Sequence, residues 1–178
     1  EVPVETPFGA LPCDTAFVDA LAARLGEAAW RGELAHRDEH SIEFAALYLK
    51  HRFRDRPLSL VPILCGGFHG LVRYDRKPTE EPRVETLVAA LIAEADRLSN
   101  AGRRVAFIAG IDLSHVGTRF GDAIDLDEAT MKEIERKDRE AIDAALTGDA
   151  AAWFDAIAAH GDSTRICGFA PMYMMLRA

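Results

Sequence analysis

The chain has 178 residues, of which 49% are hydrophobic and 28% charged, and its formal net charge at pH 7 is −8. This length and composition are typical of one globular domain with a hydrophobic core. The acidic balance argues against a general nucleic-acid binder, whose binding face is basic. No apolar run approaches the roughly 20 residues that cross a bilayer. Three cysteines are too few for a disulfide scaffold and predict a reducing cytoplasm.

The first part of the chain predicts two helices followed by a strand. Asp14 is a typical N-cap for a helix that ends at Gly26, and a second helix begins near His40. The apolar run 58–65 has the length of a buried strand and ends in two glycines.

The second part predicts one further strand among several helices. An amphipathic helix over 84–98 leads directly into the apolar run 104–111, so strand, helix and strand form a βαβ unit. Helices are also predicted over 125–146, 150–159 and 168–177. We therefore expect an α/β fold with a mixed, partly parallel sheet that is flanked by helices.

The predicted strand 104–111 ends in Asp112-Leu-Ser-His115, which places a carboxylate and an imidazole at one end of the sheet. Ligands of open α/β sheets bind beyond the carboxyl ends of the strands, so this position indicates a site. The alternative is that Asp112 caps a turn and that His115 is an ordinary polar loop residue.

A second pattern, His36-Arg-Asp-Glu39-His40, matches the H-x-x-E-H signature of inverted zinc peptidases. On a helix the two histidines would share a face and bind zinc, with Glu39 as the general base. The alternative is a charged loop that leads into a helix. Separately, His40 and Glu43 are three positions apart on the predicted helix, and an ordinary helix start with an acidic first turn explains them equally well.

Cys167 precedes the last predicted helix. The positive end of a helix dipole favours the thiolate, which is the form that attacks electrophiles and binds metals, although a buried apolar cysteine is the alternative. Together, Asp112, His115 and Cys167 offer hard, borderline and soft donor atoms. Such a set suits a redox-active or borderline metal better than magnesium or calcium.

Four blocks of the sequence, in the same order, resemble the Memo family, which is called AmmeMemoRadiSam system protein B in prokaryotes. The blocks are Thr6-Pro-Phe-Gly9, Glu39-His-Ser-Ile-Glu43-Phe, Ile111-Asp-Leu-Ser-His115-Val-Gly and Ile166-Cys-Gly-Phe-Ala-Pro171. The resemblance implies a fold like that of the class III extradiol dioxygenases, with a metal at one edge of the central sheet.

The resemblance also implies roles for individual residues. The metal ligands would be His115 and Cys167, and the catalytic residues would be His40 and Asp112. The residues lining the pocket would be Glu43, Ser114 and Gly168.

Memo-like proteins have a further N-terminal half that supplies two histidines to the site, one of them in a His-Ala-Gly type motif. This chain begins at Glu1 and lacks both. The resemblance therefore predicts that residues 1–178 are the C-terminal portion of one Memo-like domain, lacking part of the sheet and holding an incomplete metal pocket. An exposed sheet edge would then favour self-association.

Three functions are compatible with these residues. The first is metal-dependent redox chemistry of a dioxygenase-like kind on a small organic substrate, with iron or copper rather than zinc as the metal. The second is a non-enzymatic protein that binds a ligand or partner and works with a radical-SAM system. The third is a zinc peptidase centred on His36, Glu39 and His40. None of the three involves nucleic acid or a membrane.

Overall fold

A computed structural model of the protein describes residues 2–124 and 126–178, and helices make up 57% of the chain. The α-helices are α1 Thr15–Leu25, α2 Ser41–Phe53, α3 His69–Arg73, α4 Pro82–Asn100, α5 Glu128–Leu146, α6 Ala150–Ala158 and α7 Phe169–Arg177. Short 3-10 turns cover Gly26–Trp30, Glu33–Arg37, Pro78–Glu80 and Thr118–Phe120. All the predicted helices are present within a few residues of their predicted bounds. Asp125, the first residue of the helix predicted over 125–146, lies outside the described residues.

The predicted α/β fold with a mixed, partly parallel sheet is wrong, because the runs 58–65 and 104–111 do not pair as strands. Within the described residues, β pairing consists of two isolated bridges, an antiparallel one between Val4 and Leu11 and a parallel one between Cys13 and Leu60. No βαβ unit is therefore formed in this part of the chain. An apolar run specifies burial, but a strand also needs a neighbouring backbone about 4.8 Å away that accepts its hydrogen bonds.

The run 104–111 nevertheless keeps the two-residue periodicity that led to the strand prediction. Alternate residues, at positions 105, 107, 109 and 111, are half-buried, whereas the residues between them are exposed. Ile108, on the exposed side, has 57% of its surface accessible. The pattern that predicted a strand thus correctly identified the side of the segment that packs, although it did not supply a pairing partner.

The chain divides into two compact units. The first comprises the chain up to Leu64 together with Pro82–Gly110, and the second comprises Cys65–Glu81 together with Ile111–Ala178. Whether the chain is one domain of the family fold stays a prediction.

In the first unit, α1 packs against α4. Buried apolar side chains of the two helices are Phe17, Leu21, Val88, Ala90, Leu91 and Leu98. Glu94 on α4 is also buried, with 5% of its surface exposed. Its carboxylate accepts a hydrogen bond from Arg97 Nε at 2.6 Å and lies 3.7 Å from Arg24 Nη2 on α1. Because a buried charge is costly unless it is paired, the two arginines make this position tolerable and connect α1 to α4.

The second unit is built around a cluster of aromatic rings, here called the aromatic core. Its members are Phe68, Trp153, Phe154, Phe169 and Tyr173. Phe154 stacks on Phe169 with ring centroids 5.2 Å apart, and Trp153 Nε1 donates a hydrogen bond to the Phe169 carbonyl at 2.8 Å. These contacts fix the start of α7 against α6, and Cys167 lies two residues before that start.

Within the part of the chain that the structure describes, no helix has the length and apolar content needed to span a membrane.

Asp14 caps α1, as predicted, and offers a first test of the fold. Its carboxylate accepts a hydrogen bond from the Phe17 amide at 3.2 Å and pairs with Arg103 Nη1 at 2.9 Å. Burial by itself raises the pKa of Asp14, but these hydrogen bonds and the Arg103 charge outweigh burial and hold it below its ordinary value of 3.8. A carboxyl with a lowered pKa stabilises the fold above its unfolded-state pKa, and this stabilisation is lost as the pH falls through the folded-state pKa.

We therefore expect Asp14→Ala to lower the free energy of unfolding near pH 7 by about 1–2 kcal/mol, the usual value of a lost N-cap. Urea unfolding at about pH 7 and about pH 3 measures the effect, and the deficit should shrink at the lower pH. Asp14→Asn, which keeps a capping oxygen, should lose less. An equal deficit at both pH values contradicts the assigned role of the charge.

Candidate metal centre

Two segments of the second unit lie side by side and carry the candidate metal ligands. The His115 amide donates a hydrogen bond to the Thr164 carbonyl at 2.7 Å, and the Gly168 amide donates one to the Asp112 carbonyl at 3.0 Å. The segments therefore run in opposite directions, with residues 112–115 alongside 164–168. This pairing places Cys167, 55 residues away in sequence, next to the Asp112 backbone, with its Sγ 3.5 Å from the carbonyl oxygen.

The side chains of Asp112, His115 and Cys167 converge. One ligand atom from each lies within 4.8 Å of the others, and among residues 2–124 and 126–178 no other group of three or more potential ligands comes together in this way. His115 Nε2 lies 4.0 Å from Asp112 Oδ2. Two ligands of one tetrahedral metal ion lie about 3.6 Å apart, so the separations between these donors are close to those of donors that share one ion.

The hydrogen bonding of His115 determines which of its nitrogens can bind a metal. Its Nδ1 lies 2.8 Å from the Leu113 carbonyl oxygen. Because that oxygen can only accept, Nδ1 donates this hydrogen bond, and in the neutral imidazole the lone pair then lies on Nε2. Histidines that bind a metal through one ring nitrogen usually donate a hydrogen bond from the other nitrogen to a carbonyl or carboxylate.

The same geometry distinguishes a metal site from a nucleophilic triad. In a triad the acid holds Nδ1 of the histidine and the nucleophile lies at Nε2. Here the Leu113 carbonyl occupies Nδ1, and the carboxylate of Asp112 lies on the Nε2 side. The three side chains are therefore arranged as converging donors rather than as a proton relay.

The loop after His115 is held by Arg165 and Asp122. Arg165 Nη2 donates hydrogen bonds to the His115 carbonyl at 2.5 Å and to Asp122 Oδ2 at 2.6 Å. Asp122 also accepts a hydrogen bond from the Gly117 amide at 2.8 Å. The hydrogen bond from Arg165, followed by that from Gly117, lowers the pKa of Asp122 below its ordinary value. The Phe120 ring lies edge-on to the His115 ring, with centroids 4.7 Å apart.

The loop that leads to Cys167 is held by the buried side chain of Asp162. This residue is 6% exposed, and its carboxylate accepts a hydrogen bond from the Ile166 amide at 3.0 Å and lies 3.5 Å from His69 Nδ1. Burial raises the pKa of Asp162. Asp162 and Arg165 both have left-handed backbone conformations, with φ of 48° and 53°. A loop with two such non-glycine residues is held in place by its contacts.

Ser114 and Gly168, the two predicted pocket-lining residues of this unit, have structural contacts. The Ser114 hydroxyl donates a hydrogen bond to Asp138 on α5. Gly168 lies so close to the neighbouring segment that a Cβ atom there would be 2.8 Å from both the Asp112 carbonyl oxygen and the Ile111 side chain. Their assignment to the pocket lining stays a prediction.

His40 and Glu43 belong to the first unit, and both are exposed. His40 immediately precedes α2, and its ring lies 5.7 Å from that of Phe44. Glu39 accepts a hydrogen bond from the Ser41 amide at 2.8 Å, which lowers the pKa of Glu39. This carboxylate thus satisfies a backbone donor at the start of α2, which matches the ordinary helix-start interpretation.

In the structure, the two histidines of the peptidase pattern do not belong to one helix. His36 lies in the 3-10 turn Glu33–Arg37, which ends before α2 begins at Ser41. The two histidines of the pattern therefore do not share one face of a continuous helix, which the peptidase interpretation requires.

Several residues of the candidate site were not predicted from the sequence, namely Leu113, Phe120, Asp122, Thr164 and Arg165. Leu113 and Thr164 act through backbone carbonyls, which every residue has. Arg165 contacts His115 across 50 positions of sequence and Asp122 across 43. No local pattern marks such contacts, although an arginine two residues before a candidate cysteine ligand was a signal that could have been weighed.

Comparison with known proteins identifies the family. The chain matches the family model described as Memo-like protein over residues 1–178. It is 32% identical over 174 residues to a MEMO1 family protein of Methanosarcina mazei, in a match that covers 98% of this chain and 53% of the relative. A MEMO1 family protein of Thermus thermophilus is 29% identical over 137 residues, which cover 77% of this chain and 35% of that protein. No solved structure matches the chain.

The chain therefore belongs to the Memo family, as its sequence blocks predicted. It spans about half the length of the curated relatives from the two Methanosarcina species, M. mazei and M. acetivorans.

The close approach at Gly168 gives a test of the site geometry. We expect Gly168→Ala to push residues 112 and 168 apart and to lower the free energy of unfolding by about 1–3 kcal/mol, as overpacking usually does. Urea unfolding measures this change. Gly67→Ala is the matched control, because a Cβ at Gly67 meets no atom within 4 Å. If the two variants are equally stable, the packing at Gly168 is looser than described.

Proposed function

We propose that this Memo-family chain binds one transition-metal ion through Asp112, His115 and Cys167 and takes part in metal-dependent redox chemistry on a small organic substrate. The observation that carries the proposal is the convergence of three different donors within 4.8 Å, with His115 Nδ1 hydrogen-bonded to the Leu113 carbonyl and Nε2 on the side of Asp112.

The donor set fits a transition metal. A neutral imidazole with one carboxylate and one thiolate balances the charge of a divalent ion. Thiolate and imidazole donors select iron, copper or zinc over magnesium and calcium, and of these iron and copper can exchange electrons at the site. When bound, such an ion supplies Lewis acidity and one-electron transfer.

The residues of the chain itself perform three tasks in this proposal. The Leu113 carbonyl keeps the Nε2 lone pair of His115 available. Asp112, whose side chain is 68% exposed, and the exposed Cys167 present the donors to incoming molecules. Three protein donors leave room in the coordination sphere for a substrate, as in catalytic rather than structural metal sites. A role for His40 as acid or base, and one for Glu43 in the pocket, belong to the same proposal.

Metal analysis tests the ligand assignment. The natural full-length protein is expressed, and bound iron, copper and zinc are measured by mass spectrometry in the native protein and in His115→Ala and Cys167→Ala. We expect both variants to lose most of the metal, because each removes one donor. Equal metal content in the native protein and both variants would refute the assignment.

His36→Ala is the matched control for that experiment, since it removes an exposed histidine of the 3-10 turn Glu33–Arg37. Retention of metal in this variant excludes the zinc-peptidase interpretation. Loss of zinc from His36→Ala, with metal retained in the other two variants, would favour it instead.

A second candidate function is that of a non-enzymatic binding protein that works with a radical-SAM system. Phe44 and Tyr48 support it, because they are four positions apart on α2 and have 55% and 72% of their surfaces exposed. Neighbouring exposed aromatic side chains are typical of surfaces that bind other proteins. Self-association of the chain and a cytoplasmic location stay predictions.

The two functions make different predictions for a variant that lacks all three donors, Asp112→Ala/His115→Ala/Cys167→Ala. If the protein acts only by binding, this variant should bind the purified radical-SAM protein of the same organism as the native protein does, whereas Phe44→Ser/Tyr48→Ser should bind it weakly. Analytical ultracentrifugation of the mixtures measures both. Loss of binding in the triple variant alone would count against the binding-only function.

A further inference from the structure

We propose that Arg165 and Asp122 are positioning residues of the metal pocket, which hold His115 in the orientation that coordination requires. This inference rests on the proposed function, since it concerns the same three donors. The pair is called here the Arg165–Asp122 clamp.

The clamp completes a set of three hydrogen bonds that fix His115. The backbone amide of His115 donates to the Thr164 carbonyl at 2.7 Å, and its Nδ1 donates to the Leu113 carbonyl at 2.8 Å. The remaining polar group of the residue, its backbone carbonyl, accepts from Arg165 Nη2 at 2.5 Å. With the amide, the carbonyl and the ring all engaged, the direction of Nε2 is determined by the surrounding loop.

One guanidinium nitrogen serves both sides of the clamp. Arg165 Nη2 also donates to Asp122 Oδ2 at 2.6 Å, and the same oxygen accepts from the Gly117 amide at 2.8 Å. Hydrogen bonds between charged groups are stronger than neutral ones, so Asp122 holds the guanidinium where it meets the His115 carbonyl. The guanidinium thereby links Asp122 back to the His115 carbonyl and closes the turn between these two residues.

The clamp also connects the segment that carries His115 to the segment that carries Cys167. Arg165 is two residues from Cys167, and its φ of 53° is unfavourable for a residue with a side chain. Its contacts with the loop 115–122 must offset this cost. The spacing between His115 and Cys167 therefore depends on a residue that is not itself a donor.

Because the Arg165–Asp122 pair is partly exposed, its effect on the position of His115 can be measured separately from its contribution to global stability. The Arg165 side chain is 45% exposed and that of Asp122 is 21% exposed. Ion pairs at this exposure contribute little to overall stability. Removal of the clamp should therefore change the pocket more than it changes the unfolding transition.

The experiment compares the natural full-length protein with its Arg165→Met and Arg165→Lys variants. The matched control is Arg136→Met, because Arg136 is similarly exposed and pairs with Glu133 and Glu140 on α5. The first measurement is the tautomer of His115 in the metal-free protein, by nitrogen-15 NMR of the ring. The second is the affinity for added Co²⁺, followed by its thiolate charge-transfer band.

We expect the native protein and Arg136→Met to show His115 protonated on Nδ1, and Arg165→Met to show a mixture of tautomers. Co²⁺ affinity should fall about 10–100-fold in Arg165→Met, the usual loss when a residue that orients a ligand is removed. Arg165→Lys should recover part of it, since one ammonium can donate to both acceptors. Asp122→Asn provides a second variant should Arg165→Met fold poorly, and it should show the same changes in smaller degree.

An unchanged tautomer and an unchanged Co²⁺ affinity in folded Arg165→Met overturn the inference. Failure of the native protein to bind Co²⁺ removes the proposed metal function, and the tautomer measurement then still decides whether the clamp orients His115.

Discussion

Two backbone hydrogen bonds, from His115 to Thr164 and from Gly168 to Asp112, are the constraint on which the candidate site depends. They place a segment near residue 112 beside one that is more than 50 residues later in the chain. Gly168 permits the approach, because a Cβ at that position would overlap the neighbouring backbone. Without this pairing, Asp112 and His115 would be polar residues of one loop and Cys167 a thiol elsewhere.

The aromatic core of the second unit makes that pairing rigid. Phe169, the first residue of α7, is fully buried, stacks on Phe154 and accepts a hydrogen bond from Trp153. Cys167 is thus attached directly to the best-packed part of the unit, and Asp162 secures the other end of its loop. Functional side chains on loops that a rigid scaffold positions are the common arrangement in proteins. The placement of Cys167 follows this rule.

The helices were predictable because their signals are local. Asp14 caps α1 as expected, and the apolar periodicity of 84–98 corresponds to α4. The sheet prediction was wrong, because strand pairing joins residues that are distant in sequence, and the predicted strands do not pair. The run 104–111 has the alternating burial of a strand, yet hydrogen-bond partners cannot be read from its residues. A helix satisfies its own backbone, whereas a strand does so only through another segment.

The family, the helices and the three residue types that offer hard, borderline and soft donors could all be predicted from the amino-acid sequence, because these are properties of single segments. The folded chain was needed to show that Asp112, His115 and Cys167 converge, that His115 Nδ1 faces the Leu113 carbonyl, and that Arg165 and Asp122 close the turn beside them. The contacts of Arg165 join segments that are 50 and 43 positions apart. The contact of His115 with Leu113 is only two positions long but uses a backbone carbonyl, which every residue has. No local pattern marks either kind of contact.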